Sequence, residues 1–248
     1  MPAIQIEGLR KVYGDVTAVA NLSFSVDEGE LFGLIGPNGA GKTTTMEVLT
    51  GQLIPEGGRV SVLGVDPVAR PTAVRERIGI LPEKESPPTF MTAREYFEFV
   101  GAVRDIADDV VDERVETWAE RLAFSDHLDT LASDLSRGQQ QKVMIAGAFL
   151  HDPALVFIDE PLANLDPIMQ ERVKRFLRDY RDAGNTVVIT THDVDVAAEL
   201  CTRVGVVHGG SLVADVRPAE LPAEKTLLDV FIERVDADAT GGVVDDHA

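Results

Sequence analysis

The stretch "GLIGPNGAGKTTTMEV", residues 33–48, places four glycines and one lysine between an apolar run and a segment of helical character. Its residues 36–43, which we call the phosphate loop, match the pattern G-x-x-x-x-G-K-[ST]. Glycine lets the backbone point its N–H groups at a phosphate chain, and the helix that follows adds the positive end of its dipole. The stretch therefore predicts a nucleotide-binding site in an α/β fold.

The pattern also assigns roles to single residues. Lys42 is expected to hold the β- and γ-phosphates, and the hydroxyl of Thr43 is expected to hold Mg²⁺. A plain glycine turn before a helix is the alternative, but such a turn does not require lysine followed by threonine. The predicted nucleotide-binding residues of this stretch are Gly36, Pro37, Asn38, Gly39, Ala40, Gly41, Lys42, Thr43 and Thr44.

A second motif, "LVFIDEP" at residues 155–161, ends an apolar run with two adjacent acids. Asp159 is placed as a second metal-holding carboxylate, and Glu160 is placed to polarise an attacking water. Adjacent side chains diverge at the end of a strand, so the two acids can serve different partners. The alternative is two acids that merely end a strand. Small GTPases lack this second carboxylate and orient the water with glutamine.

The order of strand-like and helix-like segments predicts α/β architecture. The apolar runs "LVFI" and "VVIT" are expected to be strands buried on both faces of a parallel sheet, whereas the earlier strands alternate and suit an antiparallel piece. Between about residues 92 and 150 the β signals vanish and apolar residues recur at helical spacing, which predicts a helical insertion. The small, acidic end at 236–248 is expected to be disordered.

Composition excludes several function classes. The chain has 42 Asp+Glu against 23 Lys+Arg, a formal net charge of -19 that repels nucleic acid. The acids are spread along the chain, which suits a surface adapted to high salt, and we hypothesise a salt-loving source.

Without a long apolar run or a secretory signal, the chain is expected to be cytoplasmic. The single cysteine, Cys201, excludes an internal disulfide and has no expected function.

A third segment, "LSRGQQQKV" at residues 135–143, lies between the two motifs, and we call it the signature segment. Ser136 can cap a helix, and Gly138 leaves backbone N–H groups open to an anion. Taken alone the segment would indicate a plain helix cap. Together with the other two motifs it makes nearly the whole chain resemble the ATP-binding cassette, the ATPase subunit of ABC transporters.

The resemblance implies a P-loop NTPase (RecA-like) core with an antiparallel β subdomain and an α-helical signature subdomain. The cassette would occupy residues 1–235 and its helical subdomain about 84–150. In this family Ser136, Gly138 and Gln139 would contact the γ-phosphate of ATP held by the other subunit of a head-to-tail dimer.

Further residues resemble family elements. Tyr13 resembles the aromatic residue that stacks on adenine, although a lone tyrosine is as often a packing residue. Residues 164–166, "NLD", resemble the loop that couples the two sites of the dimer, with a plain turn before a helix as the alternative. His192 resembles the switch histidine that reaches the γ-phosphate and the catalytic glutamate, so the implied catalytic set is Glu160, His192 and Lys42. His127 and His151 match no family element and are expected to be surface or loop residues.

Two residues depart from the family pattern. Arg137 stands where the signature usually has glycine, and Glu83 stands where the glutamine loop would have glutamine. A carboxylate at 83 would add a full negative charge beside Asp159, so we expect tighter Mg²⁺ binding by the set Thr43, Glu83 and Asp159. The alternative for Glu83 is an exposed loop carboxylate.

The resemblance implies that two cassettes close on two ATP molecules and power a separate integral-membrane permease, on the inner face of the cell membrane. The segment after Glu83 and the short helical insertion look most like cassettes of ABC-2-type exporters, with an importer cassette as the nearest rival. A soluble ABC ATPase acting on nucleic acid or ribosomes is a second rival, and a GTPase or nucleotide kinase is a third. A GTPase or kinase would leave the signature segment and His192 unexplained.

Overall fold

The computed structural model describes residues 2–84 and 86–241. The strands within these residues are β1 (Pro2–Tyr13), β2 (Val16–Asp27), β3 (Leu31–Ile35), β4 (Gly57–Val62), β5 (Ile78–Leu81), β6 (Leu155–Asp159), β7 (Thr186–Thr191), β8 (Arg203–His208) and β9 (Ser211–Val216). The α-helices are α1 (Lys42–Leu49), α2 (Pro71–Arg75), α3 (Ala93–Val103), α4 (Asp108–Arg121), α5 (Arg137–Phe149), α6 (Pro167–Asp182), α7 (Val194–Leu200) and α8 (Leu227–Gly241).

The central sheet has six strands in the order β5-β6-β7-β3-β8-β9. All neighbouring strands are parallel except the edge pair β8 and β9. Every residue of β3, β6 and β7 is buried, as expected for parallel strands covered by helices on both faces. This confirms the expectation for the runs "LVFI" and "VVIT".

A smaller sheet, in the order β2-β1-β4, is antiparallel throughout. It confirms the expected antiparallel piece but not its full extent, because β3 and β5 also precede the helical insertion and yet lie in the parallel sheet. Phe24 of the small sheet stacks on Phe32 of β3 with ring centroids 5.2 Å apart. One apolar core therefore joins the two sheets.

The helices α3, α4 and α5 form a lobe in the region where the sequence predicted helices. Thr92 begins α3 with a capping box, because its side chain accepts from the Glu95 N–H while the Glu95 side chain accepts from the Thr92 N–H. The ring of Trp118 from α4 meets those of Phe149 and Phe176 at centroid distances of 5.6 and 4.9 Å. Aromatic side chains of the lobe therefore pack against α6, which covers the central sheet.

The tail predicted to be disordered, residues 236–248, is described only in part. Helix α8 continues to Gly241 and so covers residues 236–241, while residues 242–248 lie outside the described part of the chain. No helix among the described residues is long and apolar enough to cross a membrane.

Cys201 packs in the core against β3. A Cβ built on Gly33 would lie 2.7 Å from the Sγ atom of Cys201. A side chain at position 33 would therefore clash with this sulfur. Burial raises the pKa of the Cys201 thiol well above its ordinary value, which keeps the thiol protonated and unreactive.

The parallel sheet decides where the functional residues meet. The phosphate loop follows β3, Glu160 follows β6, and His192 follows β7. These three strands are neighbours and parallel, so their carboxyl ends lie at one edge of the sheet. Ligands of open α/β sheets bind at this edge.

Candidate functional site

The phosphate loop packs closely on strand β2. Gly41, which immediately precedes α1, has φ 100° in the left-handed region, and a Cβ there would lie 2.4 Å from the carbonyl oxygen of Ala18. Only glycine fits both the conformation and the space. Among the described residues no side chain caps the start of α1, so its first N–H groups are open to an anion.

Lys42 lies inside the loop and is only 8% exposed. Its Nζ atom donates hydrogen bonds to the carbonyl oxygens of Gly36 at 2.7 Å and of Pro37 at 3.2 Å. Burial lowers the pKa of Lys42, while the nearby carboxylates of Glu160, Asp159 and Glu83 act in the opposite direction. The ammonium is therefore desolvated and surrounded by loop carbonyls, which a phosphate oxygen can replace.

Asp159, at the end of β6, is 5% exposed and is held on both sides by hydroxyl groups. Thr43 Oγ1 donates to its Oδ2 atom at 3.1 Å, and Thr190 Oγ1 donates to its Oδ1 atom. Thr190 was not expected from the sequence to take part. The structure thus brings together Thr43 and Asp159, two of the three residues predicted to hold the metal.

This donor set fits Mg²⁺. A hydroxyl and a carboxylate supply the oxygen ligands that Mg²⁺ prefers, and water and nucleotide phosphates usually complete its shell. No group of three or more His, Cys, Asp or Glu side chains within residues 2–84 and 86–241 is arranged to hold a metal by itself. Glu83 is exposed and lines the same cleft as Thr43 and Asp159, and among the described residues the hydrogen bonds of Asp159 come from Thr43 and Thr190 and not from Glu83.

Glu160 points away from Asp159. Its φ of 53° lies in the left-handed region, which costs a residue with a Cβ on the order of 1 to 3 kcal/mol. This turn of the backbone separates the two carboxylates. Asp159 is directed to the phosphate loop, and Glu160 is directed to the residues that follow β7.

Two residues at the end of β7 hold the Glu160 carboxylate. His192 contacts Oε1 twice, through its backbone N–H at 3.0 Å and through Nδ1 at 2.6 Å. Thr191 Oγ1 donates to Oε2 at 3.0 Å. The Glu160 side chain is 16% exposed and that of His192 66%. The expected pairing of Glu160 with His192 is present, and the sequence signal for the threonines was only the hydroxyl pair in "VVITTHD".

These groups line one cleft of about 380 Å³, within the range of about 300 to 1,000 Å³ that is typical of small-molecule sites. Val16, Thr17 and Ala18 of β2 form one wall, although no motif in the sequence marks them. The remaining lining residues are Asn38, Gly39, Ala40, Gly41, Lys42, Thr43, Thr44, Glu83, Asp159, Glu160 and His192.

Tyr13 stands at the rim of the cleft rather than in its lining. It pairs across the β1–β2 hairpin with Val16, which does line the cleft. Tyr13 is 46% exposed, and Lys11 Nζ lies 5.3 Å from the centroid of its ring. An exposed ring at this place can take a flat base, although the structure does not bring it against Lys42 or Thr43.

The signature segment lies outside the cleft. Ser136 caps α5: its Oγ atom accepts from the Gln139 N–H at 3.3 Å, and its own N–H donates to Gln139 Oε1 at 2.7 Å. In the described chain Ser136, Gly138 and Gln139 do not line the cleft with the phosphate loop. The nucleotide-binding set predicted from the sequence is therefore divided between two places on one chain.

The segment at residues 164–166 connects the two places. Asp166 caps α6 by accepting from the Met169 N–H at 3.0 Å, and Asn164 has φ 61°. A Cβ on Gly138 would lie 2.9 Å from the Asn164 carbonyl oxygen. The turn after Glu160 thus packs directly against the signature segment.

The two histidines without an expected role are both held by contacts. Nε2 of His127 lies 2.6 Å from Gln139 Nε2. His151 is half-buried with Nε2 3.0 Å from the Ile78 carbonyl oxygen, and its Nδ1 has no hydrogen-bond partner among the described residues. Burial, followed by the charge of Arg104, lowers the pKa of His151 to about 4.

Comparison with known proteins identifies the family. A family model described as "ABC transporter" matches residues 19–163. The Nod factor export ATP-binding protein I of Ralstonia nicotianae is 32% identical over 253 residues, which cover 95% of this chain and 79% of that protein.

Solved structures agree with the fold. An ATP-binding subunit of an ABC transporter superimposes with a TM-score of 0.86 at 25% identity, over 93% of this chain and 98% of that chain. A dimeric post-hydrolysis state of the ATP-binding cassette MJ0796, bound to ADP and Pi, superimposes with a TM-score of 0.80 at 23% identity, over 87% of this chain and 98% of that chain. The central and small sheets described above are therefore those of a P-loop NTPase cassette.

Proposed function

The chain belongs to the ABC transporter family, whose ATP-binding cassettes hydrolyse ATP, and from this premise we propose that it uses ATP and Mg²⁺ in the cleft at the phosphate loop to power a separate membrane permease. One observation carries the assignment of the site. The side chains of the consecutive residues Asp159 and Glu160 point to different partners. Asp159 is hydrogen-bonded to Thr43 of the phosphate loop, and Glu160 is hydrogen-bonded to His192.

In this proposal Lys42 exchanges the carbonyl oxygens of Gly36 and Pro37 for oxygens of the β- and γ-phosphates. The N–H groups of the phosphate loop and of the first turn of α1 hold the remaining phosphate oxygens. Thr43 and Asp159 would hold Mg²⁺, which would supply positive charge to offset the charge that develops on these phosphates. Binding at this place puts the γ-phosphate between the phosphate loop and Glu160.

Glu160 acts as the general base. Its carboxylate accepts a proton from a water molecule while the water oxygen bonds to the γ-phosphorus, and the bond from that phosphorus to the bridging oxygen of ADP breaks. The hydrogen bonds from Thr191 and His192 hold the carboxylate in place. His192 is mostly exposed, so its ring is accessible to the γ-phosphate of a bound nucleotide.

A second cassette completes the site. Because Ser136, Gly138 and Gln139 lie away from the cleft of their own chain, a head-to-tail partner has to supply them. The dimeric form of the cassette MJ0796 has the same fold, which supports this arrangement. ATP between the two chains would close the dimer, and hydrolysis would let it reopen.

We further propose export by a partner of the ABC-2 type, with the cassette on the inner face of the cell membrane and no role in nucleic-acid binding. The name of the Ralstonia relative, which concerns export, supports this direction. The net charge of -19 argues against a nucleic-acid partner and supports the hypothesis of a salt-loving source.

Hydrolysis is tested with Lys42→Ala. This variant should lose ATP turnover, measured as phosphate release, because Lys42 is the only lysine or arginine among the described residues that line the cleft. Lys225→Ala is the matched control, since Lys225 pairs with Glu233 on α8, and it should retain turnover. Hydrolysis that persists in Lys42→Ala would refute the assigned site.

The permease partner is tested separately. In solubilised membranes with ATP, Glu160→Gln cassettes should retain a multi-span membrane protein, and Lys42→Ala cassettes should not. Equal recovery of membrane proteins by both variants would argue against an ATP-dependent permease complex.

A further inference from the structure

Gln139 of the signature segment contacts His127, and the proposed hydrolysis mechanism does not involve this contact. Nε2 of His127 lies 2.6 Å from Nε2 of Gln139. His127 ends the short helix Ser125–His127 of the helical lobe, and its neighbours Phe124 and Leu128 are 1% and 3% exposed. The ring is therefore held by a segment anchored in the core.

The identity of the donor in this contact follows from the other end of Gln139. The Ser136 backbone N–H is 2.7 Å from Gln139 Oε1, and a backbone N–H can only donate. The oxygen of the Gln139 amide must therefore face Ser136, and its NH₂ group must face His127. An NH₂ group only donates, so Nε2 of His127 has to accept.

An accepting Nε2 carries no proton, which makes the ring neutral with its hydrogen on Nδ1. Three groups then form an ordered chain: the Ser136 N–H donates to Gln139 Oε1, and Gln139 Nε2 donates to His127 Nε2. A ring with its hydrogen on Nε2 would place two donors against each other at this distance.

This chain determines what the signature segment presents to a partner. The Ser136 oxygen accepts from the Gln139 N–H, and its hydroxyl hydrogen has no acceptor among the described residues. The hydroxyl can therefore donate to an anion beyond the segment. If Gln139 turned away, the Ser136 N–H would lose its acceptor and the first turn of α5 would lose half of its capping box.

We infer that His127 is a positioning residue for the ATP site of the partner copy, because its ring holds Gln139 and thereby fixes Ser136 in the orientation that reaches the partner's nucleotide. The inference rests on the proposed function, since it concerns the dimer in which the signature segment completes the second site. His127 acts through Gln139 and touches no reacting atom.

Two variants separate positioning from packing. His127→Phe keeps a ring of similar size but removes the acceptor, and His127→Gln offers an amide oxygen as a new acceptor. Both are made in the Glu160→Gln background, and ATP-driven dimerisation is measured by light scattering. The binding of a fluorescent ATP analogue to dilute monomer reports on the phosphate loop alone.

We expect His127→Phe to weaken ATP-driven dimerisation by about 3- to 10-fold, the equivalent of one lost hydrogen bond. His127→Gln should restore dimerisation, and both variants should bind the analogue as the parent does. Dimerisation as tight in His127→Phe as in the parent would overturn the inference and leave the proposed function intact. A parent that does not dimerise with ATP would overturn both.

A direct measurement does not depend on the variants. Nitrogen NMR of the histidine rings in the unmodified chain should show His127 neutral with its hydrogen on Nδ1. A hydrogen on Nε2 would overturn the inference. This measurement also decides the matter if His127→Phe melts at a lower temperature than the parent or fails to bind the analogue.

Discussion

Thr43 Oγ1 and Asp159 Oδ2 lie 3.1 Å apart although 116 positions separate the two residues in the chain. Parallel pairing of β3 and β6 with β7 between them brings the two together. The hydrogen bond holds both oxygen donors at one place, so the protein part of the proposed Mg²⁺ site is preorganised.

Glu83→Gln should raise the Mg²⁺ concentration needed for half-maximal ATP hydrolysis. Glu83 is exposed and lines the cleft with Thr43 and Asp159, so we expect a screened effect of up to about 5-fold. A magnesium titration of phosphate release measures it. Glu98→Gln, at an exposed position of α3, is the control, and an unchanged requirement in Glu83→Gln would remove Glu83 from the metal site.

Glu160→Gln should lower turnover by about 10² to 10⁴-fold because glutamine cannot accept the proton of the attacking water. Nucleotide binding should persist, and ATP should then hold the chains as dimers that do not reopen. Phosphate release and size-exclusion chromatography with light scattering measure the two effects. Glu113→Gln on α4 is the matched control; a Glu160→Gln chain that is monomeric with ATP and turns over normally would contradict the mechanism.

His151 predicts a loss of stability at acidic pH. Its pKa is lowered by burial from the ordinary 6.5 to about 4, so between these values the unfolded chain binds more protons than the folded chain. The free energy of unfolding contributed by His151 is therefore present above pH 6.5 and falls as the pH drops towards 4.

Urea unfolding at about pH 7 and about pH 4.5 tests this contribution, since these values lie on either side of most of the His151 titration. His151→Gln keeps a donor for the Ile78 carbonyl oxygen but does not titrate. The urea concentration at the unfolding midpoint of the variant should therefore fall less from about pH 7 to about pH 4.5 than that of the parent. Equal decreases in the variant and the parent would show that other groups cause the acid sensitivity.

Salt should stabilise the chain if its surface is adapted to high salt. At about 1 M KCl the screening length is roughly 3 Å, which weakens repulsion among the charges that give a net -19. The melting temperature should therefore rise from dilute buffer to molar KCl, and by more than in sucrose of equal osmolality. A melting temperature that is equal or higher without salt would contradict the hypothesis.

The sequence was sufficient to predict those motifs whose residues lie close together in the chain. The phosphate loop, the acid pair at 159 and 160, and the buried strands depend on residue types at fixed short intervals, and the structure has them in the expected elements. The partners of the acids depend on strand order instead. Thr190 and Thr191 reach Asp159 and Glu160 only because β7 lies beside β6, which no local pattern indicates.

Two further features of the structure differ from the sequence-based expectations because they depend on contacts between distant parts of the chain. The contact between His127 and Gln139 depends on how the lobe folds back on the start of α5, and so a lone histidine gave no signal. The small, acidic composition after residue 235 suggested disorder, but helix α8 extends to Gly241. One contact that supports this extension is the pair His208 Nδ1 and Asp238 Oδ2, 2.6 Å apart.

The burial of Cys201 against Gly33 makes the unmodified chain a suitable starting point for spectroscopic labelling. Its single thiol is enclosed in the core and stays protonated, so maleimide dyes or spin labels should not react with it while the chain is folded. A cysteine introduced on an exposed surface would then be the only labelled position. Distances between such labels on two chains could follow dimer closure without removal of a native residue.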